Sequence, residues 1–202
     1  MTERGAARVA RSPLKIRRDV LYVDVTRGTV RRGGEAVHVS DRGLELLVAL
    51  AFASAGTRKE DLASAIWPSL DGDAALNALK MCVSRTRAQA GDREAIRSTK
   101  SGYELGEGVA IDVRDIEKLL RGVRGAEGLS DSARREIREA ARSLKERERS
   151  FAASWAWFAP HAIHLDELQT ELNLVLAKDA LRRDEPLAYQ APEPSMSPQH
   201  IG

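Results

Sequence analysis

Between residues 20 and 55 the hydrophobic period changes from two to about 3.6, and that change constrains what the first half of the chain can build. The segment VLYVDV at 20–25 alternates, and TVRR at 29–32 and EAVHV at 35–39 do the same. Arg27-Gly28 and Gly33-Gly34 punctuate the three runs as hairpin turns. A short antiparallel meander of three strands ending at Val39 is expected. Ser40 then stands where an N-cap belongs, and Leu44, Leu47, Val48 and Ala51 recur at helical spacing. This helix is expected to stop near Gly56, as a C′ glycine.

A second helix is expected over 59–67, with Leu62, Ile66 and Trp67 apolar and Pro68 closing it. SLDGD supplies a loop in which Asp71 or Asp73 caps a third helix over 74–90. AIRST, a Lys100-Ser101-Gly102 turn and YEL then read as a β-hairpin. The order β-β-β-α-α-α-β-β describes one compact unit. From Asp112 onward the pattern is helical throughout. Val113, Ile116, Leu119, Leu120 and Val123 form one apolar face. Ser130 caps a helix that aligns Ala133, Ile137, Ala140, Ala141 and Leu144, and its outer face, RREIREAARSLKERER, alternates acids with bases as a solvated surface does. FAASWAWFAP concentrates the aromatic residues. Phe151, Trp155, Trp157 and Phe158 read as the plug of a helical core, with a ligand box as the lesser reading. A last helix over 161–181 carries Ile163, Leu168, Leu172, Val175 and Leu176, and the Pro-rich tail after Pro186 is expected to be disordered.

With 202 residues, 43% of them hydrophobic and 31% charged, the chain can bury a core. LLVALAFASA at 46–55 is about half of the roughly 20 apolar residues that a membrane span requires. No apolar run follows the basic N-terminus, so neither a signal peptide nor a membrane association is expected. A single cysteine excludes an internal disulfide framework and suits a reducing cytoplasm. The net charge of +2 is unevenly spread: residues 1–110 hold 18 Lys and Arg against 14 Asp and Glu, a balance of +4. Residues 1–18 alone carry Arg4, Arg8, Arg11, Lys15, Arg17 and Arg18 against Glu3. Such a segment is either a basic arm for a polyanion or a solvated tail.

The third helix, NALKMCVSRTRAQAG from Asn77, holds the most specific signal. At about 100° per residue, Ala75, Leu76, Leu79, Cys82, Val83, Thr86 and Ala90 fall on one side. Asn77, Met81, Ser84 and Ala88 fall on the other, flanked by Lys80, Arg85 and Arg87. A face made only for solubility favours Glu and Lys. This face suits a major groove, where Arg and Lys reach phosphates and guanine edges, Asn and Ser exchange hydrogen bonds, and Met meets a thymine methyl. Arg97 and Lys100, on the hairpin that follows, are placed to reach an adjacent minor groove or backbone. Chemistry points nowhere else. His161 and His164 form an i,i+3 pair near Asp166 and Glu167 that a metal would need to complete, with a cap or surface role as the plainer reading. His38 reads as a surface strand residue and Cys82 as a small buried hydrophobe. No HExxH, P-loop, GxGxxG or GxSxG motif occurs, and neither an enzyme nor a cofactor is expected.

VDVTRGTVRRGGEAVHVSDRGLELLVAL, EDLASAIWP, NALKMCVSRTR and IRSTKSGYEL, in that order, resemble the winged-helix domain of OmpR/PhoB-type response regulators. The nearer resemblance is to the actinobacterial antibiotic-regulator branch, in which such a domain precedes an all-helical bacterial transcriptional activator domain. IDVRDIEKLL, SWAWFAP and LDELQTELNLVLAKDAL are similar to the start of that second domain. The resemblance implies an α+β winged helix over 19–108 and a small all-α domain over 109–185 for dimerisation or partner binding, while composition gives a basic disordered arm over 1–18 and a disordered tail over 186–202. It implies that Asn77, Met81, Ser84, Arg85 and Arg87 face DNA, that Lys100 is the wing-tip contact, and that Trp67 lies in a loop able to meet RNA polymerase. The chain departs from that family in several ways. Thr86 stands where the family commonly has Leu, the wing is reduced to Lys-Ser-Gly, no receiver segment is expected ahead of the winged helix, and the helical part read here is short.

The sequence therefore leads to the expectation of a sequence-specific DNA-binding transcription regulator, cytoplasmic and nucleoid-associated. Its partners would be double-stranded DNA, a second copy of itself in solution or on DNA, and RNA polymerase. The competing expectation is a protein-interaction module of the same fold that docks a regulator or a polymerase subunit without reading DNA.

Overall fold

A computed structural model of the chain describes residues 20–53, 57–146 and 155–183. The basic arm, Gly56, Phe151 and the Pro-rich tail lie outside them. The fold is mixed α+β, with six α-helices and two small sheets among the described residues. Strands β1 (Leu21–Asp24) and β2 (Thr29–Arg32) pair antiparallel, with Leu21 opposite Arg32 and Asp24 opposite Thr29. Gly28 and Gly33 take φ of 63° and 59° at the two turns, as the dipeptide signals require.

β3 is shorter than the alternation in EAVHV suggests. It covers only Glu35–Ala36, and Val37 adds one last bond to the Val30 carbonyl at 2.8 Å. Beyond that the edge strand peels away, because Ser40 must cap the next helix and its N–H donates to Gln89 Oε1 at 3.1 Å. His38 is accordingly exposed but lies outside the strand.

Helices α1 (Asp41–Phe52), α2 (Lys59–Ile66) and α3 (Gly72–Gln89) follow. Ser40 Oγ accepts from the Gly43 N–H, and Asp71 rather than Asp73 caps α3 by accepting from the Ala74 N–H at 2.8 Å. The hairpin of β4 (Ile96–Ser98) and β5 (Tyr103–Leu105) comes next, in the place expected for it. Gly102 sits where any Cβ would lie 2.1 Å from the Thr57 carbonyl, so only glycine lets the hairpin turn close onto the start of α2.

The sequence reading missed β6 (Val109–Ile111), which pairs parallel to β1 and gives the sheet order β3-β2-β1-β6. Three residues carry too little alternation to read locally, and the pairing is long-range. The sheet thus continues past Gly108, where the resemblance ends the first domain.

α4 (Asp112–Val123) starts directly from β6. The buried Asp112 carboxylate accepts from the N–H groups of Val25 and Thr26, both at 2.9 Å, and of Val113 at 2.8 Å, tying the helix start to the end of β1. Burial first, and buried Asp24 second, push Asp112 up to about 7. α5 (Asp131–Lys145) is capped by Ser130, and α6 (Ala159–Arg182) packs along it. Their seam holds a buried ion pair, Arg134 Nε to Asp179 Oδ2 at 2.7 Å. Asp179 also accepts from the Leu129 N–H at 3.0 Å, and Arg134 donates to the Leu129 carbonyl at 3.1 Å.

Leu21, Leu46, Leu79 and Ile96 of the first half join Leu120, Ile137, Leu144 and Leu172 of the second in one continuous core. Trp155 and Phe158 are buried in it, as an aromatic plug would be. Trp157 is half-buried, and its indole N–H donates 3.0 Å to Glu45 Oε1, a buried carboxylate also held by Arg42. Phe52 stacks on His161 at 4.3 Å, and Arg114 donates to the Ala51 carbonyl at 3.0 Å.

Candidate nucleic-acid interface

The buried side of α3 consists of Ala75, Leu79, Cys82, Val83 and Thr86. Thr86, a hydroxyl on an otherwise apolar helix side, is fully buried against α1. A Cβ at Gly43 would come within 2.9 Å of Thr86 Oγ1. The two helices cross too closely for a leucine at position 86. Thr86 Oγ1 lies 3.9 Å from Cys82 Sγ, whose thiol donates to the Arg42 carbonyl at 3.3 Å. Burial pushes the Cys82 thiol above its ordinary range, which keeps it protonated.

Asn77, Lys80, Met81, Ser84 and Arg85 are exposed on the opposite side of α3, Met81 at 54%. Among the described residues, none of the four polar ones makes a side-chain hydrogen bond or ion pair. Asp73 in the first turn is the only acid on the helix, so the charges of Lys80 and Arg85 are uncompensated along it. Lys100, also exposed and without a side-chain partner among the described residues, sits at the tip of the β4–β5 turn. That tip is held by Thr99 N–H to Gly102 O and by Gly102 N–H to Thr99 Oγ1, both 2.9 Å, and Lys59 N–H donates to the Ser101 carbonyl at 3.1 Å.

Two of the sequence-nominated arginines are occupied. Arg87 is half-buried, and its Nε and Nη2 donate to the Ile96 carbonyl at 2.8 and 2.6 Å, with Nη2 reaching Ser98 Oγ at 3.3 Å. It ties the last turn of α3 to β4. All its acceptors are neutral, so its charge persists. Arg97 lies in β4 rather than in the turn. It pairs with Glu104 across the hairpin at 3.0 Å and with Glu107 at 3.3 Å, which offsets its charge.

The structure adds a residue that sequence reasoning passed over. Arg93, in the short 3-10 turn after α3, is exposed and makes no side-chain bond among the described residues. With Ser84, Arg87, Arg97 and Ser98 it lines a cleft of about 610 Å³ between α3 and β4. Its signal in the sequence was a lone arginine between the helix and the hairpin. Trp67 is half-buried, with the Arg42 guanidinium 6.0 Å from its ring, and Leu70 is exposed in the loop beside it.

His164 is bonded to Glu117 at 2.9 Å and His161 stacks on Phe52, and no group of three possible metal ligands occurs among the described residues. No helix among the described residues is long and apolar enough to cross a membrane. No protein-family model matches the chain, and no curated protein matches it in sequence.

Proposed function

We propose that the first half of the chain is a winged-helix DNA-binding unit and that the protein is a sequence-specific transcription regulator. The observation that carries this reading is the outer face of α3. It presents two uncompensated cations, two small polar side chains and an exposed methionine on a helix whose other side is anchored in the core. Such a helix enters a major groove with Arg85 and Lys80 on phosphates or guanine edges. Asn77, Ser84 and Met81 are left to distinguish bases. Lys100 at the hairpin tip supplies a further backbone contact, and the uncompensated charge of Arg87 adds to the field without leaving its carbonyl.

The test is a gel-shift titration across salt concentrations, using Arg85→Ala and Lys100→Ala with duplex fragments selected from a random pool. Each variant is expected to bind more weakly, with a salt slope reduced by about one. If both bind as tightly and with the same slope as the parent, these residues do not contact DNA. One observation favours the alternative, a protein-docking module: Glu104 and Glu107 neutralise Arg97 and so weaken the basic hairpin. Absence of duplex binding even at low salt, with a protein partner retained, would decide for it.

A further inference from the structure

Five large hydrophobic side chains are exposed among the described residues, and three of them lie on α6: Ile163 at 61%, Leu174 at 51% and Leu181 at 66%. They are 11 and 7 residues apart, which at about 100° per residue places them within about 20° of one another. Thr170 and Ala177 fall on the same line, so positions 163, 167, 170, 174, 177 and 181 repeat at alternating spacings of four and three. That is a coiled-coil seam, with Glu167 its one charged member. It points directly away from Leu165, Leu168 and Leu172, which pack α6 into the core.

We infer that this seam binds the same seam of a second copy of the chain, antiparallel. The direction follows from charge. The first half of α6 carries Asp166, Glu167 and the half-exposed Glu171 toward this side, and the second carries Lys178 and Arg182. A parallel pair sets Glu167 against Glu167 and acidic half against acidic half. An antiparallel pair sets Glu167 against small Ala177 and acidic half along basic half. Glu171 and Lys178 flank the seam on one edge, and in an antiparallel pair each faces the other's counterpart across the interface. Lys178 is exposed and has no side-chain partner among the described residues. Glu171 accepts from Arg124 through Oε1 at 3.0 and 3.2 Å, which leaves Oε2 available. The seam from 163 to 181 is about 27 Å long. A single helix pair of that length falls at or below the low end of stable interfaces, about 1,200 Å² in total, so the dimer is weak and concentration-dependent. This inference does not rest on the DNA reading.

Sedimentation equilibrium of the full chain without DNA tests it. The parent is expected to pass from monomer to dimer between micromolar and millimolar concentration. Leu174→Glu is expected to stay monomeric with an unchanged thermal midpoint, since the side chain is exposed in the monomer. Lys178→Glu is expected to weaken the dimer about tenfold, and Glu171→Lys combined with Lys178→Glu to restore it. A parent that remains monomeric throughout overturns the proposal, as does a Leu174→Glu variant that dimerises like the parent or a charge exchange that fails to restore association. Leu181→Gln repeats the first substitution should Leu174→Glu fail to fold.

Discussion

The arginine at the α5–α6 seam and those on the outer side of α3 carry the same charge and do opposite things. Arg134 is buried and bonded to Asp179, Asp131 and the Leu129 carbonyl, so every direction of its guanidinium is used inside the chain. Arg85 is exposed on a helix whose one acid is three turns away and bonds to nothing among the described residues. α5 also exposes Arg135 and Arg138, but Glu136 and Glu139 alternate with them, whereas α3 has no acid after Asp73. What separates a fold-holding cation from one available to a ligand is therefore the placement of acids and carbonyls around it, since both helices hold more bases than acids.

The sharpest way to break this contrast is Arg134→Ala. It leaves Asp179 buried without its cation, and the thermal midpoint is expected to fall on the order of 10 °C, with duplex affinity of the folded protein unchanged. A calorimetric scan beside a binding titration checks both. Arg85→Ala is expected to do the reverse: duplex affinity falls roughly tenfold while the midpoint stays put. Arg87→Ala tests the intermediate case, because its guanidinium both holds β4 and keeps its charge. A midpoint lowered by a few degrees together with a reduced salt slope is the expected outcome. Arg138→Ala on α5 is expected to change neither.

The two buried carboxylates extend the comparison to pH, with opposite signs. The Arg134 guanidinium bonded to Asp179 holds its carboxyl below the usual range. Its contribution is present above the ordinary carboxylate pKa and is lost as pH falls through the lowered one. Asp112 is raised from 3.8 to about 7, by burial and by Asp24. The folded chain therefore binds this proton more tightly than the unfolded chain, and the contribution to stability grows as pH falls from about 7 toward 4. Urea unfolding from pH 8 to pH 5 is expected to show stability rising with acidification. Below pH 4 the loss at Asp179 is expected to reverse that rise.

Much of this was legible in the sequence where the determinants are local. The caps at Ser40 and Ser130, the turns at Gly28 and Gly33, and the two sides of α3 each depend on residues within a few positions of one another. What escaped reading depends on distant partners. β6 is a strand only because β1 lies beside it, and the tether on Arg87 depends on a carbonyl nine residues away in a hairpin. The same holds for Thr86, whose hydroxyl contradicts a core pattern until Gly43 is seen to leave no room for anything longer.

The pairing of β1 with β6 also has a consequence during synthesis. Leu21 meets Val109 and Val23 meets Ile111, so the inner edge of β1 stays open until some 85 further residues have been made. At about 5–20 residues per second, the nascent chain carries that open edge for roughly 4–17 s. Over that interval the β1–β2 hairpin has one bonded side, and the amides of Val25 and Thr26 wait for an aspartate the ribosome has yet to add.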